Sequence, residues 1–182
     1  MSLCGIDEAG RGPIAGSLVM AGVILTKKIE GLMDSKVLSE KKREALFPLI
    51  IENSQYHIVS FSAKDIDKRG ISKCLSEGLE SILSHLESED FLFDGNSTFG
   101  VSGLRTMIKA DAKIPEVSAA SILAKVTRDR EMVEFAKTYT EYGFEGHKGY
   151  GTKAHIEAIK QHGYCPIHRR SFKLKALEPT LF

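Results

Sequence analysis

Four carboxylates stand at the ends of short apolar segments, which are candidate β-strands. Asp7 and Glu8 close the first segment, and Asp94 and Asp111 each follow a later one. Strand ends on one side of a sheet can converge, and like charges brought together there raise one another's pKa. Divalent cations relieve that repulsion, and oxygen-only ligands suit Mg²⁺ or Mn²⁺ rather than zinc. Two such ions about 4 Å apart can stabilise both the attacking and the leaving oxygen of a phosphoryl displacement.

Taken one position at a time, these carboxylates have a simpler explanation. Aspartate is common in turns, and an aspartate shortly before a long helix, as Asp111 is, can serve as a helix cap. Position alone therefore favours ordinary turn and capping residues.

The first carboxylate pair lies inside a glycine-rich turn, Gly5-Ile6-Asp7-Glu8-Ala9-Gly10-Arg11-Gly12. The turn partly mimics a phosphate-binding P-loop, but it lacks the Gly-Lys-Ser/Thr ending, and its two carboxylates would repel a nucleotide phosphate. We expect the glycines instead to let the backbone approach a substrate closely, with Arg11 available to contact a phosphate.

Length and composition indicate one compact domain with a sizeable core. The chain has 182 residues, 42% of them hydrophobic, and it holds no apolar run of about 18 residues that would span a membrane. Its three cysteines are odd in number and form no Cys-x-x-Cys pair. They are typical of reduced thiols in a cytoplasmic protein, and a monomer is the default expectation.

The net charge of +1 hides an asymmetry between the two ends of the chain. Residues 141–175 contain seven Lys or Arg against three Glu, a net +4, and four of the six histidines. This end could carry contacts to the phosphates of a polyanion. A solvated charged tail is the alternative, and charge alone does not separate the two.

Apolar patterning predicts a mixed α/β domain. Short apolar or alternating runs predict strands at 3–7, 17–25, 56–61, 91–93 and 106–110. Apolar residues three and four apart predict helices that begin at 38–39 with Ser39 as N-cap, and that span 64–86, 115–139 and 153–161. A loop with four glycines, 142–151, separates the last two helices. The alternation of strands and helices is what indicates the α/β fold class.

An ordered set of motifs over residues 4–173 resembles the ribonuclease HII family. Its order and spacing are specific, whereas a single Asp-Glu pair is not. The motifs are Gly5 to Pro13, Asp34-Ser35-Lys36, Asp94-Gly95-Asn96, Lys109-Ala110-Asp111, Ser118 to Asp129, Gly149-Tyr150-Gly151-Thr152, His155, His162-Gly163 and His168-Arg169.

The resemblance implies an endoribonuclease that hydrolyses the RNA strand of RNA–DNA hybrids and cuts 5′ to ribonucleotides embedded in duplex DNA. The products would carry 3′-hydroxyl and 5′-phosphate ends. The implied fold is an RNase H-like mixed β-sheet flanked by helices, with a helical C-terminal part. Residues 1–140 would form the catalytic core, and residues 141–182 a substrate-contacting helical segment and tail within the same compact domain.

The resemblance also assigns roles by position. The catalytic and metal-binding acids would be Asp7, Glu8, Asp94 and Asp111, holding two divalent ions, Mg²⁺ or Mn²⁺. Gly10, Arg11 and Gly12 would read the ribose 2′-hydroxyl and a flanking phosphate, and Tyr150 would pack against the sugar beyond the ribonucleotide. Lys36 matches a family position and could meet a backbone phosphate, although a solvated loop lysine explains it equally well. The 2′-hydroxyl distinguishes RNA from DNA, so a closely approaching glycine backbone is a sensible reader of it.

Several other residues each allow a structural or a functional explanation. Arg128 and Asp129 are expected to form an ion pair on the long helix. His168, Arg169 and Arg170 could touch nucleic acid or be ordinary surface residues. The apolar pair Leu181-Phe182 could dock on a sliding clamp, although a tail that packs on its own domain or frays is the simpler expectation.

Three rival functions remain to be separated. A ribonuclease HIII-like nuclease would cut only long hybrids and would carry an extra N-terminal domain, for which the six residues before Asp7 leave no room. A non-catalytic nucleic-acid-binding module would bind without cutting, but all four acidic positions are retained. An actin-like nucleotide-binding protein is disfavoured because its glycine-rich phosphate loops are missing.

Overall fold

A five-stranded mixed sheet forms the centre of the computed structural model, which describes residues 2–32 and 37–174. The strands are β1 Leu3–Ala9, β2 Leu18–Leu25, β3 Ser54–Phe61, β4 Asp90–Asp94 and β5 Arg105–Met107. Their order across the sheet is β3-β2-β1-β4-β5. The β1–β2 and β2–β3 pairs are antiparallel, whereas β4 lies parallel to both β1 and β5.

Six helices accompany the sheet in the described part of the chain. They are α1 Glu40–Glu52, α2 Ala63–Arg69, α3 Ile71–His85, α4 Pro115–Thr138, α5 Phe144–His147 and α6 Lys153–His162. A 3₁₀ turn, Ala110–Ala112, precedes α4. The predicted N-cap of α1 is confirmed, because the Ser39 hydroxyl accepts a hydrogen bond from the backbone N–H of Lys42.

Each face of the sheet is covered by a different helical layer, which gives the predicted α/β class. Leu18 and Met20 of β2 pack with residues of α2 and α3, whereas Val19, Ala21 and Val23 pack with residues of α1 and α4. Alternate residues of a strand point to opposite faces, so covering both faces explains why β2 is apolar throughout rather than alternating.

Four predicted elements needed correction. The first strand, expected over 3–7, runs to Ala9, so Asp7 and Glu8 lie within β1 and the turn begins only after it. The helix expected over 64–86 is two helices, because Gly70 adopts φ +84 and breaks it while the apolar spacing continues on both sides. The strand expected over 106–110 ends at Met107, since Lys109 adopts the left-handed conformation and starts the 3₁₀ turn that carries Asp111. The loop expected over 142–151 contains the single-turn helix α5.

The C-terminal elements form a third apolar cluster at one end of α4. Residues of α5, α6 and the segment after α6 pack around Ile14, Ala15 and Met132. The loop that follows β1 is thereby covered by residues from the far end of the chain. The division into parts 1–140 and 141–182 remains a prediction. In the described residues, no helix is long and apolar enough to cross a membrane.

Candidate active site

Asp7 and Asp94 come together because β1 and β4 run in parallel. Ile6 pairs with Phe93, so the next residue along each strand is an aspartate. Ile6 and Phe93 both belong to the apolar cluster on the α3 side. Side chains alternate along a strand, so Asp7 and Asp94 point to the other face, toward α4.

Close packing of α4 against β1 positions the first aspartate. A Cβ atom on Gly5 would lie 2.2 Å from the backbone nitrogen of Val117, so only glycine allows this approach. Asp7 is two residues further along the same strand face, and Ser121 is one helical turn beyond Val117. The Ser121 side chain hydrogen-bonds to Asp7, as this spacing requires.

Asp111 completes a cluster of three carboxylates. One oxygen from each of Asp7, Asp94 and Asp111 lies within 4.8 Å of the others. The backbone N–H of Asp111 also donates to Oδ2 of Asp94 at 3.3 Å. Asp111 is only 1% exposed and Asp7 only 7%, whereas Asp94 is half-buried and lines the cavity described below.

The electrostatics of the cluster favour a bound cation. The pKa of Asp7 lies well above its usual value, first because burial penalises the charged carboxylate and then because Glu8 and Asp94 add negative charge nearby. Hydrogen bonds from Ser121 and from the backbone N–H of Glu8 oppose that shift. A divalent cation would offset both destabilising causes, and the donor set is all oxygen, as Mg²⁺ and Mn²⁺ prefer. The residues present therefore fit such an ion.

The fourth predicted acid, Glu8, is not part of the three-aspartate cluster in this structure. Its Oε1 lies 3.0 Å from Nη2 of Arg11, and the Arg11 guanidinium stands over the Phe99 ring with 5.3 Å to its centroid. Glu8 nevertheless lines the same cavity as Asp7 and Asp94. Its assignment as a metal ligand remains a prediction.

A cavity of about 450 Å³ joins three of the predicted acids, Asp7, Glu8 and Asp94, to the predicted substrate-binding residues, whereas Asp111 is not among its lining residues. Gly10, Arg11, Gly12 and Tyr150 all line it, and Tyr150 is 45% exposed. Lys36 lies outside the described residues. The complete lining is Asp7, Glu8, Ala9, Gly10, Arg11, Gly12, Arg43, Asp94, Ser121, Lys125 and Tyr150.

Outside the predicted glycine-rich turn, three lining residues were not predicted as site residues. Ser121 and Lys125 lie four residues apart on one face of α4, a spacing that could have signalled a shared site. Arg43 of α1 had no comparable signal. Together, Arg43 and Lys125 add positive charge to a wall that also carries carboxylates.

The prediction of an ion pair between Arg128 and Asp129 was wrong. Asp129 binds Nζ of Lys125 at 2.8 Å, one helical turn away. The three guanidinium nitrogens of Arg128 donate instead to backbone carbonyls. His168 and Arg169, for which surface or nucleic-acid-contacting positions were both considered, are buried.

A carboxylate cluster on neighbouring parallel strands, beside a cavity with a glycine loop and basic side chains, is the arrangement expected of a metal-dependent phosphoryl-transfer nuclease with an RNase H-like fold. Comparison with known proteins gives the family. The sequence profile of the family Ribonuclease HII matches residues 4–175, and the chain belongs to this family.

Relatives agree with this placement over nearly the whole chain. A ribonuclease HII of Sulfurovum sp. (strain NBC37-1) is 69% identical over 181 residues, covering 99% of this chain and 96% of the relative. The ribonuclease HII of Archaeoglobus fulgidus, solved in a complex with PCNA, is 29% identical with a TM-score of 0.83 and 96% of each chain covered. The ribonuclease H2 of Pyrococcus horikoshii OT3 is 33% identical with a TM-score of 0.79, covering 95% of this chain and 94% of that one. The protein is accordingly a metal-dependent endoribonuclease that acts on RNA–DNA duplexes.

Proposed function

We propose that the protein cuts duplexes on the 5′ side of a ribonucleotide, including a single ribonucleotide embedded in DNA, and leaves 3′-hydroxyl and 5′-phosphate ends. One observation carries the proposal. The three-aspartate cluster, the Gly10–Gly12 backbone and Tyr150 belong to one connected site of nucleotide-scale volume. The site can therefore recognise a sugar and cleave the adjacent phosphodiester in the same event.

The acids would hold two divalent ions, Mg²⁺ or Mn²⁺. Asp7, Asp94 and Asp111 supply oxygens within 4.8 Å of one another, and Glu8 would join them on exchanging its Arg11 partner for an ion. When bound, such ions activate water and stabilise the leaving 3′-oxygen. Hydrogen bonds from Ser121 and from backbone N–H groups fix the carboxylates before substrate arrives. The site therefore needs less reorganisation during the reaction.

The remaining residues of the site would choose the substrate. The backbone of Gly10 to Gly12 would contact the 2′-hydroxyl, and Arg11, once released by Glu8, would contact a flanking phosphate. Tyr150 would pack its exposed ring against the neighbouring sugar. Lys36 is proposed as a further phosphate contact outside the described residues.

A cleavage assay tests the reaction directly. A labelled DNA duplex with a single ribonucleotide should be cut on its 5′ side with Mg²⁺ or Mn²⁺, and should stay intact with EDTA. Asp94→Asn should abolish cutting, because it replaces a negatively charged carboxylate of the cluster with a neutral amide of nearly the same size. Asp90→Asn is the matched control, since Asp90 lies at the other end of β4 and pairs with exposed Arg105.

The same assay separates the rival functions. Activity confined to long RNA–DNA hybrids would favour a ribonuclease HIII-like specificity. Binding of the duplex without any cleavage in either ion would favour a non-catalytic module. Substantial metal-dependent cutting by purified Asp94→Asn or Asp7→Asn would contradict the assigned chemistry itself.

We also propose a cellular setting. The product of a cut beside an embedded ribonucleotide suits ribonucleotide excision repair and DNA replication. The three free thiols suit a cytoplasmic protein, and a monomer is proposed as the default state. A clamp contact through Leu181-Phe182, which lies outside the described residues, is supported by the Archaeoglobus fulgidus relative that was solved with PCNA. Removal of these two residues should then abolish co-elution with a sliding clamp while leaving cleavage intact.

A further inference from the structure

Two buried arginines lie beneath the glycine loop that follows β1. Arg128 of α4 and Arg169 of the segment after α6 are each 1% exposed. Burial lowers the pKa of both guanidinium groups, and that of Arg169 falls to about 9, with repulsion from Arg128 as a second cause. A charged group is buried at a cost unless polar partners compensate it, so the partners of these two groups indicate what they are for.

Arg169 binds the backbone of the substrate-facing segment itself. Its Nη2 donates to the carbonyl of Gly10 at 2.6 Å, and its Nη1 to the carbonyl of Arg11 at 3.3 Å. Its Nε donates to the carbonyl of Gly16 at 2.9 Å. One planar guanidinium therefore spans both ends of the loop, which a lysine ammonium could not do.

Arg128 binds the same loop and also the loop that carries Tyr150. Its Nε and Nη2 donate to the carbonyls of Ser17 and Ala15, at 2.8 and 2.9 Å. Its Nη1 donates to the carbonyl of Lys148 at 2.9 Å, and its Cζ lies 5.9 Å from the Tyr150 ring centroid. The two predicted substrate-contacting segments are thus tied to one cation.

Because the peptide bond is planar, these contacts with the carbonyls also fix the direction of the loop N–H groups. The described chain contains no cis peptide bond, so each C=O points opposite to the N–H of the same peptide unit. With the carbonyls of Gly10 and Arg11 turned toward Arg169, the N–H groups of Arg11 and Gly12 point away from it. Both residues are exposed and line the cavity. Bonding of a carbonyl to a cation also polarises its peptide unit and strengthens the opposite N–H as a donor.

We propose that Arg169 and Arg128 are positioning residues for substrate discrimination: they hold the Gly10–Gly12 amides and Tyr150 in one fixed arrangement that recognises a ribose in a duplex. They act through the backbone and do not touch the substrate. This inference rests on the proposed function, since it needs the loop to read the ribose.

Arg169→Lys and Arg128→Lys test the inference, because each keeps the positive charge but removes the multidentate contact. On a duplex with one ribonucleotide, each should lower kcat about tenfold, the order expected for loss of a charge-assisted hydrogen bond, while KM changes less than about threefold. Affinity for an all-DNA duplex with Ca²⁺ in place of Mg²⁺ should stay unchanged. Arg130→Lys is the control on α4, because Arg130 is exposed and pairs with Glu44.

A purely structural role predicts a different pattern. It would lower the melting temperature and weaken binding of both duplexes together, or leave the cleavage constants unchanged, and either result would overturn the inference. A wild-type protein that shows no preference for the ribonucleotide duplex would overturn the proposed function as well.

An experiment on the wild-type protein covers the case in which neither variant folds. In NMR spectra recorded with Ca²⁺, the amide proton signals of Arg11 and Gly12 should move downfield when the one-ribonucleotide duplex is added. They should move much less with the all-DNA duplex. The Nε–H signals of Arg128 and Arg169, which donate to loop carbonyls, should be protected from exchange with water in the free protein. Rapid exchange of these two signals would overturn the inference, whereas equal amide shifts with both duplexes would overturn the proposed function on which it rests.

Discussion

Gly10 and Gly12 are two positions apart in the sequence, yet the structure predicts different effects on stability when each is changed to alanine. Gly10 adopts φ +90, and a Cβ atom there would lie 2.2 Å from Nε of Arg128 and 2.4 Å from the carbonyl oxygen of Ser17. Gly12 is not among the positive-φ residues, and a Cβ atom there would meet nothing within 4 Å. Gly10→Ala should therefore disturb the fold, whereas Gly12→Ala should disturb only what approaches from outside.

The size of the Gly10 effect follows from two terms. A left-handed backbone costs a non-glycine residue roughly 1–2 kcal/mol, and an overpacked methyl group costs about 1–3 kcal/mol. Their sum, about 2–5 kcal/mol, corresponds to a melting-temperature loss of roughly 4–20 °C for a domain of this size. Gly12→Ala should shift the melting temperature by no more than about 2 °C, as surface substitutions do.

Thermal melts and cleavage assays together check this pair. Gly10→Ala should melt early, and at temperatures where it remains folded it should also cut slowly. Gly12→Ala should melt like the wild type and still lose at least about tenfold in kcat/KM on a one-ribonucleotide duplex, because the methyl group occupies space on the substrate side. A Gly10→Ala protein as stable as the wild type, or a Gly12→Ala protein that cuts at the wild-type rate, would refute this account of the loop.

Two further predictions concern charge. Asp7→Asn should raise the melting temperature in EDTA at pH 8, since it removes a buried carboxylate that Glu8 and Asp94 repel. It should also abolish stabilisation by added Mg²⁺. A lower melting temperature in EDTA would contradict the repulsion assigned to the carboxylate cluster. Burial lowers the pKa of both His155 and His168 to about 4, so between pH 6.5 and 4 the unfolded chain takes up protons that the folded chain does not. The free energy of unfolding, measured by urea titration, should therefore fall as the pH drops through this window, by up to roughly 3 kcal/mol for each imidazole. Exposed His162 changed to Gln should leave that slope intact, and a flat profile would contradict the prediction.

Burial keeps the two histidines neutral, and the hydrogen bonds around them indicate which ring nitrogen carries the proton. The N–H of Cys165 donates to Nδ1 of His168 at 2.9 Å, so Nε2 of His168 carries the proton and donates to Nε2 of His155 at 3.0 Å. Nδ1 of His155 then donates to the carbonyl of Tyr150 at 2.9 Å. Nδ1 of His168 also lies 3.3 Å from the carbonyl oxygen of Cys165, but the shorter bond from the Cys165 N–H makes it an acceptor. A second proton on either ring would therefore remove an acceptor.

The sequence predicts the fold well where one face of an element is apolar. Ser39 as a helix cap and the long helix α4 could be identified because capping and periodicity are local signals. The break at Gly70 was missed because apolar spacing continues across it. Asp111 was placed after a strand, but a left-handed Lys109 starts a 3₁₀ turn there, a conformation that residue type alone does not predict.

The candidate site divides in the same way. Asp7 and Asp94 could be predicted because each ends an apolar segment, and strand ends converge in a sheet. The roles of Arg128 and Arg169 could not, because their partners are backbone carbonyls, which every residue carries and which leave no trace in side-chain type. The resemblance to a family supplied the positions of both arginines but not what they bind.

The bond between Arg169 and Gly10 joins residues 159 positions apart, and it has a consequence for protein synthesis. The three aspartates are all present once the ribosome has passed residue 111, but the guanidinium that shapes the glycine loop is translated much later. A nascent chain therefore acquires its acidic residues well before the Gly10–Gly12 loop can acquire its final shape. If the loop reads the ribose as proposed, selectivity is completed last, when the C-terminal segment packs against the loop that follows β1.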